Sequence, residues 1–280
     1  MVLVPMAVVG GFVWFPTLVS VLLSFTSWDG FGGIDTIEYI GIRNYDQIAT
    51  IYPPFWPALQ HNLIWLAFLM FVATPFGLLL AYQLDKRIRG TRFYQSVFFL
   101  PVVLSLVVIG FIWQLIYSPD YGLINNLTGH TGANVTDWLG DPNLNLWAVL
   151  VAVGWRHAGY IMILYLAGLK AVDPSLREAA AIDGAGEWHA FRTVVFPALL
   201  PINIVVIVVT VIEAMRAFDI VFIINKGRNG LELLSVLVYD NIVGEASRVG
   251  YGSALAVILL VISIVPIVVF VWNSFQRETL

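Results

Sequence analysis

Six long apolar runs constrain this chain more than any other feature of its sequence. They cover residues about 2 to 26, 58 to 84, 94 to 117, 145 to 169, 198 to 224 and 254 to 274. A helix needs about 20 apolar residues to cross the hydrocarbon core of a bilayer, and each run is long enough. Charged residues make up 11% of the chain, compared with about 25% in soluble domains. The sequence predicts an all-α membrane protein with six transmembrane helices in one domain, residues 1–280.

Prolines interrupt some of these runs, among them Pro5, Pro16, Pro75 and Pro101. Neighbouring helices can satisfy the carbonyls that a proline leaves free, so we expect kinks rather than helix ends. The first run lacks a basic leading segment and exceeds the apolar length of a signal peptide. We expect it to stay in the protein as a transmembrane helix and not to be cleaved. Because Met1 lies directly at the predicted membrane surface, a basic cytoplasmic segment before it is an open alternative.

Basic residues are distributed unequally between the two sets of loops. One set contains Lys86, Arg87, Arg89, Arg92, Lys170, Arg177, Arg192 and Arg277, and the other contains Arg43, Lys226, Arg228 and Arg248. Lys and Arg in short loops are enriched on the cytoplasmic side, so both termini are predicted to be cytoplasmic. The opposite loops are rich in turn-forming residues and cover about 27 to 57, 118 to 144 and 225 to 252. We interpret them either as simple connections or as contacts for an external protein.

The predicted cytoplasmic loop 173–197 has the pattern of two short helices joined by a turn. Asp173 is suited to be an N-cap and Pro174 to the first helical position. Gly184 and Gly186 permit a positive φ and are expected to end the first helix. The second helix is predicted to have one apolar face, made of Trp188, Phe191, Val194 and Val195.

The first of these helices is expected to expose small and apolar residues to the cytoplasm. They are Ala179, Ala180, Ala181 and Ile182, followed by Trp188 in the second helix. Such a surface favours docking to another protein. The alternative is a helix lying on lipid headgroups, but that kind of helix usually carries Lys or Arg. This loop instead carries Glu178, Asp183 and Glu187.

The same residues resemble the signature of the permease subunits of binding-protein-dependent ATP-binding-cassette importers. The signature is Glu-Ala-Ala, three residues, Gly, nine residues and Ile-x-Leu-Pro. Here it falls on Glu178-Ala179-Ala180, Gly184 and Val194-Val195-Phe196-Pro197, with Val for Ile and Phe for Leu. The chain is similar to the maltose-type carbohydrate subfamily over most of its length. Matching segments are Gly41–Tyr45, Pro75–Ala81, Pro101–Ser105, Gly168-Leu169, Phe218-Asp219 and Gly250–Ala254, whereas Asn225–Gly230 departs from the usual Thr-x-Gly-Gly-Pro.

The resemblance implies a type I importer permease in a prokaryotic plasma membrane, embedded in lipid. Its loop 173–197 would be a coupling loop that docks on an ATPase through Glu178, Ala179, Ala180, Asp183 and Gly184. Expected partners are a second homologous permease, two ATPase subunits that carry ATP and Mg, an extracytoplasmic substrate-binding protein, and a di- or oligosaccharide substrate. The sequence lacks the Gly-x-x-x-x-Gly-Lys-Ser/Thr phosphate loop, so we expect neither ATPase activity nor a cofactor in this chain.

Several polar side chains fall within the fourth and fifth runs, where ionisable groups are costly unless they are paired or face a cavity. The candidates for a substrate pathway are Trp155, Arg156, His157, Tyr160, Thr210, Glu213, Arg216 and Ala217, with Asp219 nearby. Their spacing is also consistent with a purely structural ion pair between Glu213 and either Arg216 or Arg156. In the resembling family the pathway lies between the helices that flank the coupling loop, which favours the cavity interpretation.

Other functional classes receive less support from the sequence. An ion-coupled secondary transporter using Glu213 and Asp219 would be expected to show inverted repeats, and none is visible. An intramembrane serine protease would need a base opposite Ser253, and no histidine is placed to serve. The net charge of −4 argues against nucleic acid as a partner. The absence of Cys and the scattered histidines predict no metal site and no catalytic residues.

Overall fold

The computed structural model describes residues 2–86, 88–130, 132–244 and 246–278, and within these residues it is built almost entirely of helices. Arg87 lies outside the described residues, as does the side chain of Arg277. The helices are α1 (Leu3–Leu23), α2 (Arg43–Thr50), α3 (Phe55–Asp85), α4 (Thr91–Val103), α5 (Leu106–Ile116), α6 (Leu123–Thr128), α7 (Asn145–Ala171), α8 (Pro174–Ile182), α9 (Glu187–Ala198), α10 (Leu200–Met215), α11 (Asp219–Asn225), α12 (Leu234–Ile242) and α13 (Val249–Glu278).

Four of the predicted transmembrane runs form helices long and apolar enough to cross a bilayer, namely α1, α3, α7 and α13. The other two runs are bent. The axes of α4 and α5 differ by 103°, and α9 meets the α10–α11 segment at 75°. The number of candidate spans in the described chain is therefore four, or up to six when each bent pair counts as one. The membrane-spanning, all-helical fold predicted from the apolar runs is confirmed.

Three wide π-helical turns each precede a proline by two residues. They are Gly10–Trp14 before Pro16, Leu69–Ala73 before Pro75, and Phe191–Val195 before Pro197. A proline lacks the N–H that would bond the carbonyl one turn earlier, and its ring crowds that carbonyl. A wider turn moves the carbonyl aside, so the helix continues past Pro16 and Pro75, whereas α9 ends one residue after Pro197. The prediction that Pro16 and Pro75 do not end their helices is confirmed.

The same prediction is wrong for the third run. Pro101 lies in the last turn of α4, and the chain becomes extended at Leu104 and Ser105. The hydroxyl of Ser105 then accepts a hydrogen bond from the backbone N–H of Val108, at 3.3 Å, which starts α5 as a new helix. A proline followed by a good N-cap residue ends one helix and begins another, which explains why residues 94 to 117 do not form one straight span.

Helix α7 occupies the centre of the molecule, and two thirds of its most apolar window is buried. It packs along the second half of α3, where Gly77 allows close approach. A Cβ added at Gly77 would lie 2.7 Å from the carbonyl oxygen of Ala158 and 2.8 Å from Cβ of Ile161. The small residue therefore fixes the distance between the two helices.

Helix α1 lies at the periphery, and none of its residues is buried. It is joined to the rest of the chain just after its last turn. The Asn44 side chain donates hydrogen bonds of 2.9 Å to the carbonyls of Ser24 and Thr26, and the Gly250 N–H donates one of 2.8 Å to the carbonyl of Trp28. An apolar helix that is exposed in this way has lipid, or another membrane subunit, as its environment.

Candidate functional site

A small cleft opens where the helix of the fifth run is interrupted. Residues Arg216, Ala217 and Phe218 leave the helical conformation between α10 and α11. The cleft has a volume of about 150 Å³. Its lining combines polar and apolar side chains, from Trp65, Leu106, Val153, Ile212, Glu213, Arg216, Ala217, Phe218, Asp219 and Ile220. Broken helices at membrane depth occur where backbone lines a cavity, so this break marks the candidate pathway.

The interruption changes the arrangement predicted for the fifth run. The fifth run was predicted to be one transmembrane helix over residues 198 to 224, with Glu213, Arg216 and Asp219 along it. The structure instead places Glu213 in the last turn of α10 and Asp219 in the first turn of α11, with Arg216 at the C-cap between them. An acidic residue in a first helical turn is favourable, because the free N–H groups there carry partial positive charge.

Arg156 and Glu213 form an ion pair beside the cleft. The guanidinium Nη1 of Arg156 donates to Oε2 of Glu213 at 3.2 Å. The two side chains are 20% and 32% exposed. Of the two partners considered for Glu213, the structure selects Arg156, which lies on α7. Arg216 is exposed and forms no ion pair within the described part of the chain. The pair links α7 to the broken helix at the level of the cleft.

His157 and Thr210 belong to a buried hydrogen-bonded group rather than to the cleft. Nε2 of His157 lies 3.2 Å from Oγ1 of Thr210 and 3.3 Å from Oγ1 of Thr74. His157 is 1% exposed, Thr210 is fully buried and Thr74 is 8% exposed. The group joins α3, α7 and α10, so it fixes the packing of three helices. Thr74 was not singled out in the sequence, since a lone Thr before a proline gives no functional signal.

The aromatic candidates on α7 also lie away from the cleft lining. Trp155 is 38% exposed, and its ring meets the edge of Trp113 with centroids 6.0 Å apart. Tyr160 is half-buried and packs on an apolar cluster that includes Ile161 and Leu199. Of the eight predicted pathway residues, Glu213, Arg216 and Ala217 line the cleft, and Arg156 contacts it through Glu213. Trp65 also borders the cleft, but it is 1% exposed and belongs to the apolar core.

The coupling loop has the two helices predicted for it. Oδ1 of Asp173 accepts a 2.9 Å hydrogen bond from the N–H of Ser175, which caps α8, and this backbone hydrogen bond lowers the pKa of Asp173 below its usual value. Gly184 has φ of +78° and ends the first helix as expected. Gly186 has φ of −64°, so it does not use the positive φ that glycine permits. Gly184 alone supplies the left-handed residue that ends the first helix.

Four of the five residues predicted to contact an ATPase are exposed in this chain, namely Glu178, Ala179, Asp183 and Gly184. Ile182 beside them is 86% exposed. Ala180 is 6% exposed, so the expectation that it is exposed is wrong. One face of an α-helix recurs every three to four residues, and Ala180 lies on the face of α8 that packs inward. In the second helix, Phe191 and Val195 are buried, and Trp188 is 63% exposed, as expected.

The described residues contain no group of three or more His, Asp or Glu side chains that could hold a metal ion. The polar groups near the cleft form pairs and hydrogen bonds instead. Nothing in this geometry assembles a nucleophile with a base, and Ser253 is buried at 2% exposure on α13. The arrangement is suited to binding and to mechanical coupling.

Comparisons with known proteins agree with this geometry. A family model described as "Binding-protein-dependent transport system inner membrane component" matches residues 73–277. The chain is 31% identical to the xylose/arabinose import permease protein XacH of Haloferax volcanii, covering 99% of this chain and 86% of that protein. It is 27% identical to the trehalose/maltose transport system permease protein MalF of Thermococcus litoralis, covering 86% and 81% respectively.

A solved structure shows the same fold. The crystal structure of a bacterial ABC transporter involved in the import of alginate contains a chain that superposes with a TM-score of 0.82, at 19% identity, over 99% of this chain and 94% of that one. Since the family model covers most of the chain, including the broken helix and the coupling loop, the assignment does not depend on any single residue. This chain belongs to the family of inner-membrane components of binding-protein-dependent transport systems.

Proposed function

We propose that this chain is one of two permease subunits that together enclose the translocation pathway of an ATP-driven carbohydrate importer. The observation that carries the proposal is the coupling loop, a capped helix with an exposed tip of small and apolar residues that ends at Gly184. A surface of this kind has no role for a subunit working alone. It is suited to fit a groove on another protein. Hydrolysis of ATP takes place on two partner subunits, and this chain binds no cofactor itself.

The coupling loop and most of the basic loop residues belong to the cytoplasmic side in this proposal. Ion pairs join Lys86 to Glu187 and Asp85 to Arg177, so the loop after α3 and the coupling loop share one end of the molecule. Lys and Arg accumulate on the cytoplasmic side of membrane proteins, which supports this orientation and cytoplasmic termini. The loops after α1, α5 and α11 then meet the extracytoplasmic substrate-binding protein.

The proposed substrate is a carbohydrate, and more narrowly a di- or oligosaccharide. The relatives XacH and MalF, named for xylose/arabinose and for trehalose/maltose, support the broader class. The cleft beside Glu213 provides charged groups and the Phe218 ring, which are side chains suited to bind hydroxyls and a sugar face. In a complete importer the partner permease would close the other half of this cleft.

The coupling role is tested with Gly184→Pro in the full importer reconstituted into liposomes. Proline cannot adopt a positive φ, so the turn is lost and ATP hydrolysis no longer depends on the loaded binding protein. Gly184→Asn is the matched control, because asparagine tolerates the left-handed region and is expected to preserve coupling. Normal coupled uptake of radiolabelled xylose, maltose and maltotriose by the Pro variant would contradict the proposal.

The pathway role is tested with Glu213→Ala and Trp155→Ala. If these side chains contribute to the pathway, uptake slows or changes its preference among the three sugars while the subunits still co-purify. An unchanged rate and preference in both variants would support the alternative that they only pack the helices. Uptake that continues without ATP and stops when the ion gradient is collapsed would favour a secondary transporter.

A further inference from the structure

Two ion pairs connect the end of α3 to both arms of the coupling loop. Nη1 of Arg177, on α8, lies 2.7 Å from Oδ2 of Asp85, and Nζ of Lys86 lies 2.6 Å from Oε2 of Glu187, on α9. Nζ of Lys86 also lies 4.5 Å from the centroid of the Tyr82 ring. The hydrogen bond with Glu187 raises the pKa of Lys86, and the same bond lowers the pKa of Glu187. Both groups are therefore charged at neutral pH.

Apolar packing between the coupling loop and the end of α3 comes from the second helix, where Phe191 and Val195 share a buried cluster with Ala81 and Leu84, and the Phe191 and Tyr82 ring centroids lie 4.6 Å apart. Ala180 is the one buried residue that α8 contributes. Between α3 and the two arms of the loop lies a cavity of about 260 Å³. Its lining includes Tyr82, Asp85, Lys86, Arg177, Ala181 and Glu187. Beside this cavity the Arg177–Asp85 pair links α8 to α3, and the Lys86–Glu187 pair adds a polar link to the aromatic packing of α9 on α3.

The four charged groups can all be paired in only one alignment of the coupling loop against α3. Asp85 and Lys86 are adjacent and opposite in sign, and their partners lie before and after the Gly184 turn. A shift of one arm against α3 would bring like charges together. Exposed ion pairs contribute little to the free energy of unfolding. Their role here is to orient the coupling loop, because two pairs of opposite polarity fix both the position and the direction of the loop on α3.

The end of α3 is in turn coupled to the candidate pathway. Above the ion pairs, α3 packs against α7 at Gly77, and Thr74 is hydrogen-bonded to His157. His157 also contacts Thr210 on α10, the helix that carries Glu213 at the cleft. A displacement of the coupling loop that moves α3 therefore reaches the cleft through packed helices and not through a flexible connection.

We propose that Asp85, Lys86, Arg177 and Glu187 form a clamp that makes the coupling loop and α3 move as one unit, so that these four are positioning residues for energy coupling. This inference rests on the proposed coupling function. It assigns to α3 a direct role in transmitting movement of the loop. Helices α7 and α10 share this role, because they flank the loop in the sequence. The clamp determines how much transport each hydrolysed ATP produces, whereas the loop tip determines whether the ATPase docks.

The test measures the number of ATP molecules hydrolysed per sugar molecule transported, in liposomes that contain the full importer. The sugar is whichever of xylose, maltose and maltotriose the unmodified importer transports. Lys86→Ala and Arg177→Ala are each expected to raise this ratio about 2- to 5-fold, the range that the loss of an exposed ion pair gives. The ATPase should still co-purify at the normal ratio. The exchange Lys86→Glu with Glu187→Lys restores the pair with reversed polarity and is expected to recover most of the lost coupling relative to Lys86→Glu alone.

Lys170→Gln is the matched control, because Lys170 is an exposed cation at the same end of the molecule and forms no ion pair within the described residues. The clamp is refuted if Lys86→Ala and Arg177→Ala behave like this control, if the charge exchange recovers nothing, or if the variants lose the ATPase. If Gly184→Pro uncouples transport but the clamp variants do not, the clamp inference is refuted and the proposed function stands. When the unmodified importer shows no sugar-dependent ATP hydrolysis, the proposed function itself fails.

Discussion

Single side chains at helix contacts decide how the helices of this chain approach one another. Gly77 is the clearest example, since the carbonyl oxygen of Ala158 occupies the space that any larger side chain would need. The ion pair of Arg156 and Glu213 acts at the same scale, by compensating two charges that would be costly alone in a membrane. At this scale the sequence indicates which residues are unusual, but not what each of them contacts.

Replacing Gly77 by Val is expected to destabilise the permease by about 1–3 kcal/mol, the usual cost of overpacking a close contact. The added side chain would overlap both the backbone and Ile161 of α7. Thermal unfolding of the purified protein in detergent measures the change. Gly11→Val on α1 is the control, since nothing lies within 4 Å of that position. Equal unfolding temperatures for the two variants would contradict the assigned contact.

Helix elements are shaped by prolines and caps more than by hydrophobic length. Pro16 and Pro75 are accommodated by π-helical turns inside continuing helices, whereas α9 ends one residue after Pro197 and the pair of Pro101 and Ser105 divides the third run. In the third run the division depends on the capping residue that follows the proline. Ser105 can satisfy a free N–H and start a new helix, so the bend becomes stable. The coupling helix α8 begins by the same device at Asp173.

Replacing Asp173 by Ala is expected to fray the first turn of α8 and to accelerate amide exchange in residues 175–178 by about 5-fold, the effect of a typical lost cap. Asp173→Asn keeps an accepting oxygen and serves as the control. Because the pKa of Asp173 is lowered, its contribution is present above its ordinary pKa of 3.8 and disappears as the pH falls through the lowered value. Exchange in the unmodified chain, corrected for intrinsic rates, should therefore be constant near neutral pH.

At the scale of the whole molecule, the loops gather at two opposite ends. One end holds the coupling loop and its ion pairs to α3. At the other end, the Asn229 side chain donates a 2.7 Å hydrogen bond to the carbonyl of Gly140, and Gly250 bonds to Trp28 near the end of α1. In the proposed function, coupling between these ends runs through α3, α7 and α10.

The two ends should be reachable from opposite sides of the membrane. The chain contains no Cys, so single cysteines can be introduced without background. Asp183→Cys is expected to react with a membrane-impermeant maleimide only after cells are permeabilised, since it lies on the coupling loop. Tyr121→Cys, at a position 70% exposed near the other end, should react in intact cells. The reverse pattern would overturn the proposed orientation.

The sequence by itself determined the membrane class, the helical fold, the two-helix structure of loop 173–197 and the family. Hydrophobic length, proline, glycine and capping residues act within a few residues, so they can be interpreted without tertiary contacts. The buried position of Ala180 and the break after Pro101 were not predicted, because packing and the following cap decide them.

Only the tertiary structure decided which polar groups meet. It paired Glu213 with Arg156, 57 residues away, and assigned His157 to a buried group with Thr74 and Thr210. It also brought Asp85 and Lys86 to the two arms of the coupling loop. The physical reason is that ion pairs and hydrogen bonds between helices depend on helix rotation and crossing, and these follow from close packing at residues such as Gly77.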